Sequence, residues 1–150
     1  MILISHRGNL TGPDEKKENT INAINKTLEY NFDVEIDIWF DNGFWLGHDN
    51  PETKINVNFL ENPKLWCHAK NIEALYELSK INTRYFWHQN DDYTLTSDNI
   101  IWTFPNKIIT DRSICLLYDN IDYKNIPKCY GICSDYVLNI KNYFLYNIND

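Results

Sequence analysis

Positive charge is what this chain is short of. Its 150 residues carry 14 Lys and Arg against 21 Asp and Glu, a formal net charge of −7. Basic residues nowhere gather into the stripe that a nucleic-acid grip requires, which excludes nucleic acid as an expected partner. The cluster Glu15-Lys16-Lys17-Glu18 mixes signs and offers no polybasic patch to a membrane surface. No apolar stretch approaches transmembrane length. The opening MILISHRG has too short an apolar run for a signal-peptide core and lacks a basic leader, so a cytoplasmic protein is expected. Repeats, linkers and low-complexity segments are also missing, and the length suits one domain with a real core. Cysteine is sparse: Cys67, Cys115, Cys129 and Cys133 mostly fall within apolar runs and read as reduced, buried thiols. Cys129 and Cys133 lack the second pair that would complete a four-ligand metal site.

What is present is an apolar content of 43% and an aromatic content of 15%, which suit a folded globular chain. Short β-rich runs recur at Ile2–His6, Val34–Phe40, Leu65–Lys70, Arg84–Gln89, Ile100–Phe104, Ser113–Tyr118 and Cys129–Tyr136. A helix is predicted from Asn19-Thr20 through Ala23, Ile24 and Leu28. A second is predicted at Asn71–Lys80, with Leu75 and Leu78 inward, and a third at Tyr136–Tyr146. Strands alternating with helices predict a parallel α/β sheet, covered on both faces. Gly43 marks a tight turn that folds Phe44-Trp45-Leu46 back on the second strand as a hairpin.

The segment DVEIDIWF, residues 33 to 40, poses the chemical question. Val34, Ile36, Ile38 and Phe40 form an apolar comb, while Glu35 and Asp37 project side by side from the other face. Burying two adjacent carboxylates is costly unless a cation lies between them. Carboxylate oxygens around a divalent metal resolve that cost directly; a half-exposed strand would avoid it. All four histidines, His6, His48, His68 and His88, stand at or near the C-terminal ends of apolar runs, where parallel α/β folds build their sites. Arg7 follows His6 and can grip an anion. His68 and Lys70 share a strand face, and Lys70 there calls for an acid, a substrate phosphate or an escape to solvent. His48 and His88, taken singly, also read as ordinary loop and strand-end residues.

His6-Arg7-Gly8, then Glu18-Asn19-Thr20, then Glu35-x-Asp37, then Gly47-His48-Asp49, in that order, resemble the glycerophosphodiester phosphodiesterase family, within the phospholipase-C-like phosphodiesterases. Ile101-Trp102-Thr103 and Gly131-Ile132-Cys133-Ser134-Asp135 look like that family's last strands. The resemblance implies a TIM-type (β/α) barrel spanning residues 1–150 as a single phosphodiesterase-like domain. It implies a divalent metal on Glu35 and Asp37, a general acid–base pair of His6 and His48, phosphate binding by Arg7 and Lys70, and Glu18 within the site. The reaction implied is hydrolysis of a small glycerophosphodiester-like substrate, part of lipid metabolism, with water or a neighbouring substrate hydroxyl as the attacking group.

Two departures from the family pattern shape the expectation. The acid expected two residues before the lysine is replaced by His68, expected here as the third metal ligand. Mg²⁺ or Mn²⁺ is favoured, with Ca²⁺ and Zn²⁺ open; nitrogen in place of oxygen shifts preference away from Ca²⁺. The chain is also shorter than the about 200 residues of small (β/α)₈ barrels. A compact barrel with several helices reduced to loops is therefore expected, or one completed in a homo-oligomer. A non-catalytic anion- or phosphate-binding barrel and a lyase acting on phosphodiesters are the competing readings.

Overall fold

The computed structural model describes residues 1–117, 126 and 128–147. Among these the chain is a mixed α/β fold, with ten strands in one sheet and three α-helices. Seven strands run parallel: β1 (Ile2–His6), β2 (Asp33–Phe40), β5 (Leu65–Ala69), β6 (Tyr85–Trp87), β8 (Ile101–Thr103), β9 (Ser113–Leu117) and β10 (Gly131–Ser134). Their order is β6-β5-β2-β1-β10-β9-β8, so the first and last parallel strands of the sequence lie side by side. β3 (Phe44–Leu46) and β4 (Thr53–Ile55) extend β2 as an antiparallel meander, and β7 (Tyr93–Leu95) pairs antiparallel with β8. The far edge of β6 meets the β7 segment: Ser97 N–H donates to the Tyr85 carbonyl at 2.8 Å and the Thr94 hydroxyl to the Trp87 carbonyl at 2.7 Å.

Helix α1 (Ile21–Glu29) begins where Thr20 Oγ1 accepts the Ala23 N–H, and α2 (Ile72–Leu78) where Asn71 Oδ1 accepts the Ala74 N–H. Asn71 also exchanges two hydrogen bonds with the Phe40 backbone, pinning α2 to the end of β2. α3 (Val137–Tyr146) follows β10 directly. The connections from β6 to β7 and from β8 to β9 contain no α-helix, which matches the expectation of helices reduced to loops. The expected run Ser113–Tyr118 ends at a residue outside the described ones. No helix among the described residues is long and apolar enough to cross a membrane.

The alternation in β2 sorts its side chains as the sequence suggests. Val34, Ile36 and Ile38 are fully buried in a cluster with Ile24 of α1, Ala74 and Leu78 of α2, and Leu46 of β3. Each such side chain contributes about 2 kcal/mol. Together they hold a strand whose other face carries two carboxylates, a burial that costs several kcal/mol per ion if uncompensated. That other face belongs to a second cluster: Ile4, Trp66, Phe86, Trp102, Ile114, Leu116 and Cys133, drawn from six of the parallel strands.

Candidate functional site

Above this second cluster, at the C-terminal ends of the parallel strands, opens a cavity of about 320 Å³. His6, Arg7, Glu35, His48, His68, Lys70 and His88 all line it, with Phe86, Trp102 and Leu116 beneath. All four histidines therefore reach one mouth. Glu35 and Asp37 are 3% and 0% exposed, and they are not half-exposed surface acids.

The carboxylates face a ring of cations and imidazoles. Arg7 Nε lies 3.0 Å from Asp37 Oδ2, Lys70 Nζ 3.3 Å from Asp37 Oδ1, and His68 Nδ1 3.1 Å from Asp37 Oδ1. Glu35 is more weakly served, with His68 Nδ1 at 3.7 Å and His6 Nε2 at 3.9 Å. Asn19 clamps Asp37 twice, donating from Nδ2 to Oδ2 and accepting the Asp37 backbone N–H, both at 2.9 Å. Burial works to raise the Asp37 pKa, yet His68, Lys70 and Arg7 outweigh it and hold this carboxyl far below the usual range. Burial pushes the Glu35 carboxyl up, and the Asp37 charge beside it pushes the same way.

Glu18, expected within the site, is not among the residues lining this cavity; it accepts from Arg7 Nη1 at 3.1 Å and Asn9 Nδ2 at 2.9 Å. Arg7 holds its position in a left-handed backbone conformation, φ 55°, sparsely populated for a residue with a side chain. His48 lines the same cavity from the loop after β3, and its Nδ1 is 2.7 Å from Asp49 Oδ1. Trp39, third in line after Glu35 and Asp37, donates its indole N–H to the Gly47 carbonyl at 2.8 Å and so fixes that loop. His88 stands beside the His68 and Phe104 rings. Burial lowers its pKa and nearby His68 adds to the effect.

Three residues at this site were not singled out from sequence as site residues. Asp135 lies directly after β10, and its Oδ1 is 2.9 Å from His6 Nδ1. Asn9 donates to the same oxygen at 2.7 Å. Burial works against protonation of His6, but the Asp135 hydrogen bond and the Glu35 charge prevail, leaving its pKa above the ordinary 6.5. Asn19 is the third; its role as a clamp depends on a fold that brings the start of α1 to β2.

The donors present suit a divalent cation. One ligand atom each from Glu35, Asp37 and His68 lies within 4.8 Å of the others. One buried oxygen there, Glu35 Oε2, has no hydrogen-bond partner, while Asp37 Oδ1 is met by Lys70 Nζ and His68 Nδ1. An unsatisfied buried carboxylate oxygen is costly, and a cation shared between the two acids removes that cost. No family model, curated protein or solved structure matches the chain.

Proposed function

We propose that this chain is a metal-dependent phosphodiester hydrolase of the glycerophosphodiester phosphodiesterase type, built on a trimmed parallel β/α barrel and acting on a small glycerophosphodiester-like substrate. The observation that carries the reading is the meeting of His6, Arg7, His48 and Lys70 in one cavity around buried Glu35, whose Oε2 has no hydrogen-bond partner, with Asp37 beside it. The order of the parallel strands, and the hydrogen bonds from the β7 segment to β6, support the barrel. The cavity volume suits a head group rather than an acyl chain.

Glu35, Asp37 and His68 would hold the cation. A bound divalent metal supplies charge neutralisation at the phosphoryl oxygens as the transition state forms. Arg7 and Lys70 present fixed positive charge to the same oxygens from the cavity wall. His6 works at Nε2, because Asp135 occupies Nδ1 and keeps the ring facing the cavity. One histidine of the His6 and His48 pair takes the proton of the attacking oxygen. That oxygen bonds to phosphorus, the bond from phosphorus to the leaving alkoxide breaks, and the other histidine protonates the alkoxide.

A second reading has its own observation. Arg7 and Lys70 both contact Asp37, so the cations meant for a phosphate are already engaged within the protein. A non-catalytic anion-binding fold would look the same. A screen of chromogenic and glycerol phosphodiesters against Mg²⁺, Ca²⁺, Mn²⁺ and Zn²⁺ separates the two. Metal-dependent turnover that His6→Ala abolishes is expected. Saturable phosphate binding without turnover under any metal would favour the second reading.

A further inference from the structure

We propose that Phe86 and the backbone carbonyl of His88 fix the His68 ring so that Nδ1 is its ligand atom, and that this makes the site select first-row transition metals such as Zn²⁺ over Ca²⁺. The proposal rests on the reading that Glu35, Asp37 and His68 hold a cation, and it assigns Phe86 as a positioning residue for selectivity.

The His68 ring is held at three places. Its Nε2 lies 3.0 Å from the His88 carbonyl oxygen. A carbonyl only accepts, so Nε2 carries a hydrogen; the hydrogen that Nδ1 directs at Asp37 Oδ1 is the one a bound cation replaces, which leaves the lone pair of the neutral ring at Nδ1. Nδ1 is the atom that faces Asp37 Oδ1 at 3.1 Å and Glu35 Oε1 at 3.7 Å. The ring plane is set by Phe86, which stacks on it with centroids 5.1 Å apart and an interplanar angle of 5°. Phe86 cannot swing aside. It is 2% exposed and stacks in turn on Trp102 at 4.5 Å, which packs against Trp66 at 5.9 Å. A column of four rings thus runs from the core to the metal ligands.

The consequence is chemical. Ca²⁺ prefers six to eight oxygen ligands in flexible geometry, whereas an imidazole nitrogen in a fixed direction suits Zn²⁺ and its neighbours. A loosely held ring would let water or a second carboxylate oxygen take its place and so blunt the discrimination. The geometry makes the ring rigid at Nδ1.

The test uses the metals alone. Calorimetric titration with Zn²⁺ and, separately, Ca²⁺ gives the affinity ratio for wild type, Phe86→Leu, His68→Glu and the double variant. Phe86→Leu is expected to reduce the Zn²⁺ to Ca²⁺ ratio by about tenfold or more, the size usual for losing an outer support of a metal ligand. In the His68→Glu background the same change should leave the ratio unaltered, because the ring it positions is gone. Nitrogen-15 NMR of the Zn²⁺-bound wild type should show His68 protonated at Nε2. Should Phe86→Leu fail to fold, Phe86→Met keeps the volume without the flat face and carries the same expectation. A ratio indifferent to Phe86, an equal shift in the His68→Glu background, a proton at Nδ1, or no binding of either metal would overturn the proposal. These readouts need no turnover. Selectivity that tracks Phe86 in a chain without phosphodiesterase activity would overturn the hydrolase reading alone.

Discussion

Asp135 and His6 are 129 positions apart in sequence, yet Asp135 Oδ1 lies 2.9 Å from His6 Nδ1. The contact exists because β1 and β10 pair in parallel with Ser5 opposite Ser134, which brings the next residue of each chain segment together. A carboxylate at Nδ1 fixes the tautomer and supports the imidazolium that forms when Nε2 takes a proton. Asp135→Asn is expected to lower kcat by about 10²-fold or more, the scale of general acid–base catalysis, with KM little changed. Steady-state kinetics on a phosphodiester substrate check this, and an unaltered kcat would leave Asp135 as a structural residue only.

Glu35 and Asp37 should respond in opposite directions when each is removed from the metal-free protein. Asp37 is compensated by Arg7, Lys70 and His68 and held by Asn19, so Asp37→Ala leaves buried cations unpaired. A loss of about 3 to 5 kcal/mol is expected. Glu35 has a raised pKa from burial and from Asp37. A carboxyl whose folded pKa exceeds its unfolded value contributes stability below the ordinary 4.5, and that stability is lost as pH rises through the folded pKa. At pH 7, well above the ordinary 4.5, the buried Glu35 carboxyl therefore opposes folding. Glu35→Gln is expected to raise the Tm of the chelator-treated protein at pH 7, and the gain should shrink as pH falls. Thermal unfolding across that range reads both variants; a gain that grows on acidification would contradict the argument. Removing both carboxylates together, which sequence alone suggests would relieve strain, is not expected to stabilise the chain, because the Asp37 ion pairs are lost as well.

Much of this site is legible in sequence, for a definite reason. The apolar comb of β2 and the histidines at strand ends are local patterns, and alternation alone puts Glu35, Asp37, His68 and Lys70 on the cavity face. The cations around the acids are legible only in part: Arg7 and Lys70 are visible as candidates for a phosphate, whereas their contacts with Asp37 need the register of β1, β2 and β5. Asp135, Asn9 and Asn19 are ordinary polar residues whose roles arise entirely from tertiary pairing. Among the strands, β4 and β7 leave no periodic signal in the sequence, because each has three residues, with Lys54, Tyr93 and Leu95 exposed. The Gly43 hairpin is legible because its turn residue and flanking aromatics are adjacent in sequence.

The four thiols offer a check on the fold away from the site. Cys67, Cys115, Cys129 and Cys133 are all free and at most 8% exposed. Burial pushes the Cys67 thiol up to about 12 and Cys115 up to about 11. The thiolate is the reactive form, so at pH 8 almost none is present. Iodoacetamide at that pH should label no cysteine in the native protein and all four after denaturation without reductant. Rapid native labelling of any one, or fewer than four labels after unfolding, would contradict the buried, reduced state.

Gly47 should be the most sensitive backbone position near the cavity. It adopts φ +150°, and a Cβ placed there would lie 1.9 Å from the Asn50 carbonyl oxygen, far inside any tolerated contact. The obstacle is backbone, so it cannot be cleared by a side-chain rotation. The loop must move, and with it the Gly47 carbonyl that accepts the Trp39 indole N–H and the adjoining His48. Gly47→Ala is expected to cost about 1 to 3 kcal/mol of stability. It should also lower kcat, because displacing one member of an acid–base pair by about 1 Å costs roughly 10²-fold. Trp39→Phe removes the same hydrogen bond without touching the glycine, and should give a smaller loss of kcat with near-normal stability. Unfolding curves and kinetics on both variants separate a loop that positions His48 from one that merely closes the β3 turn. Normal kcat in both would show that His48 needs no such support.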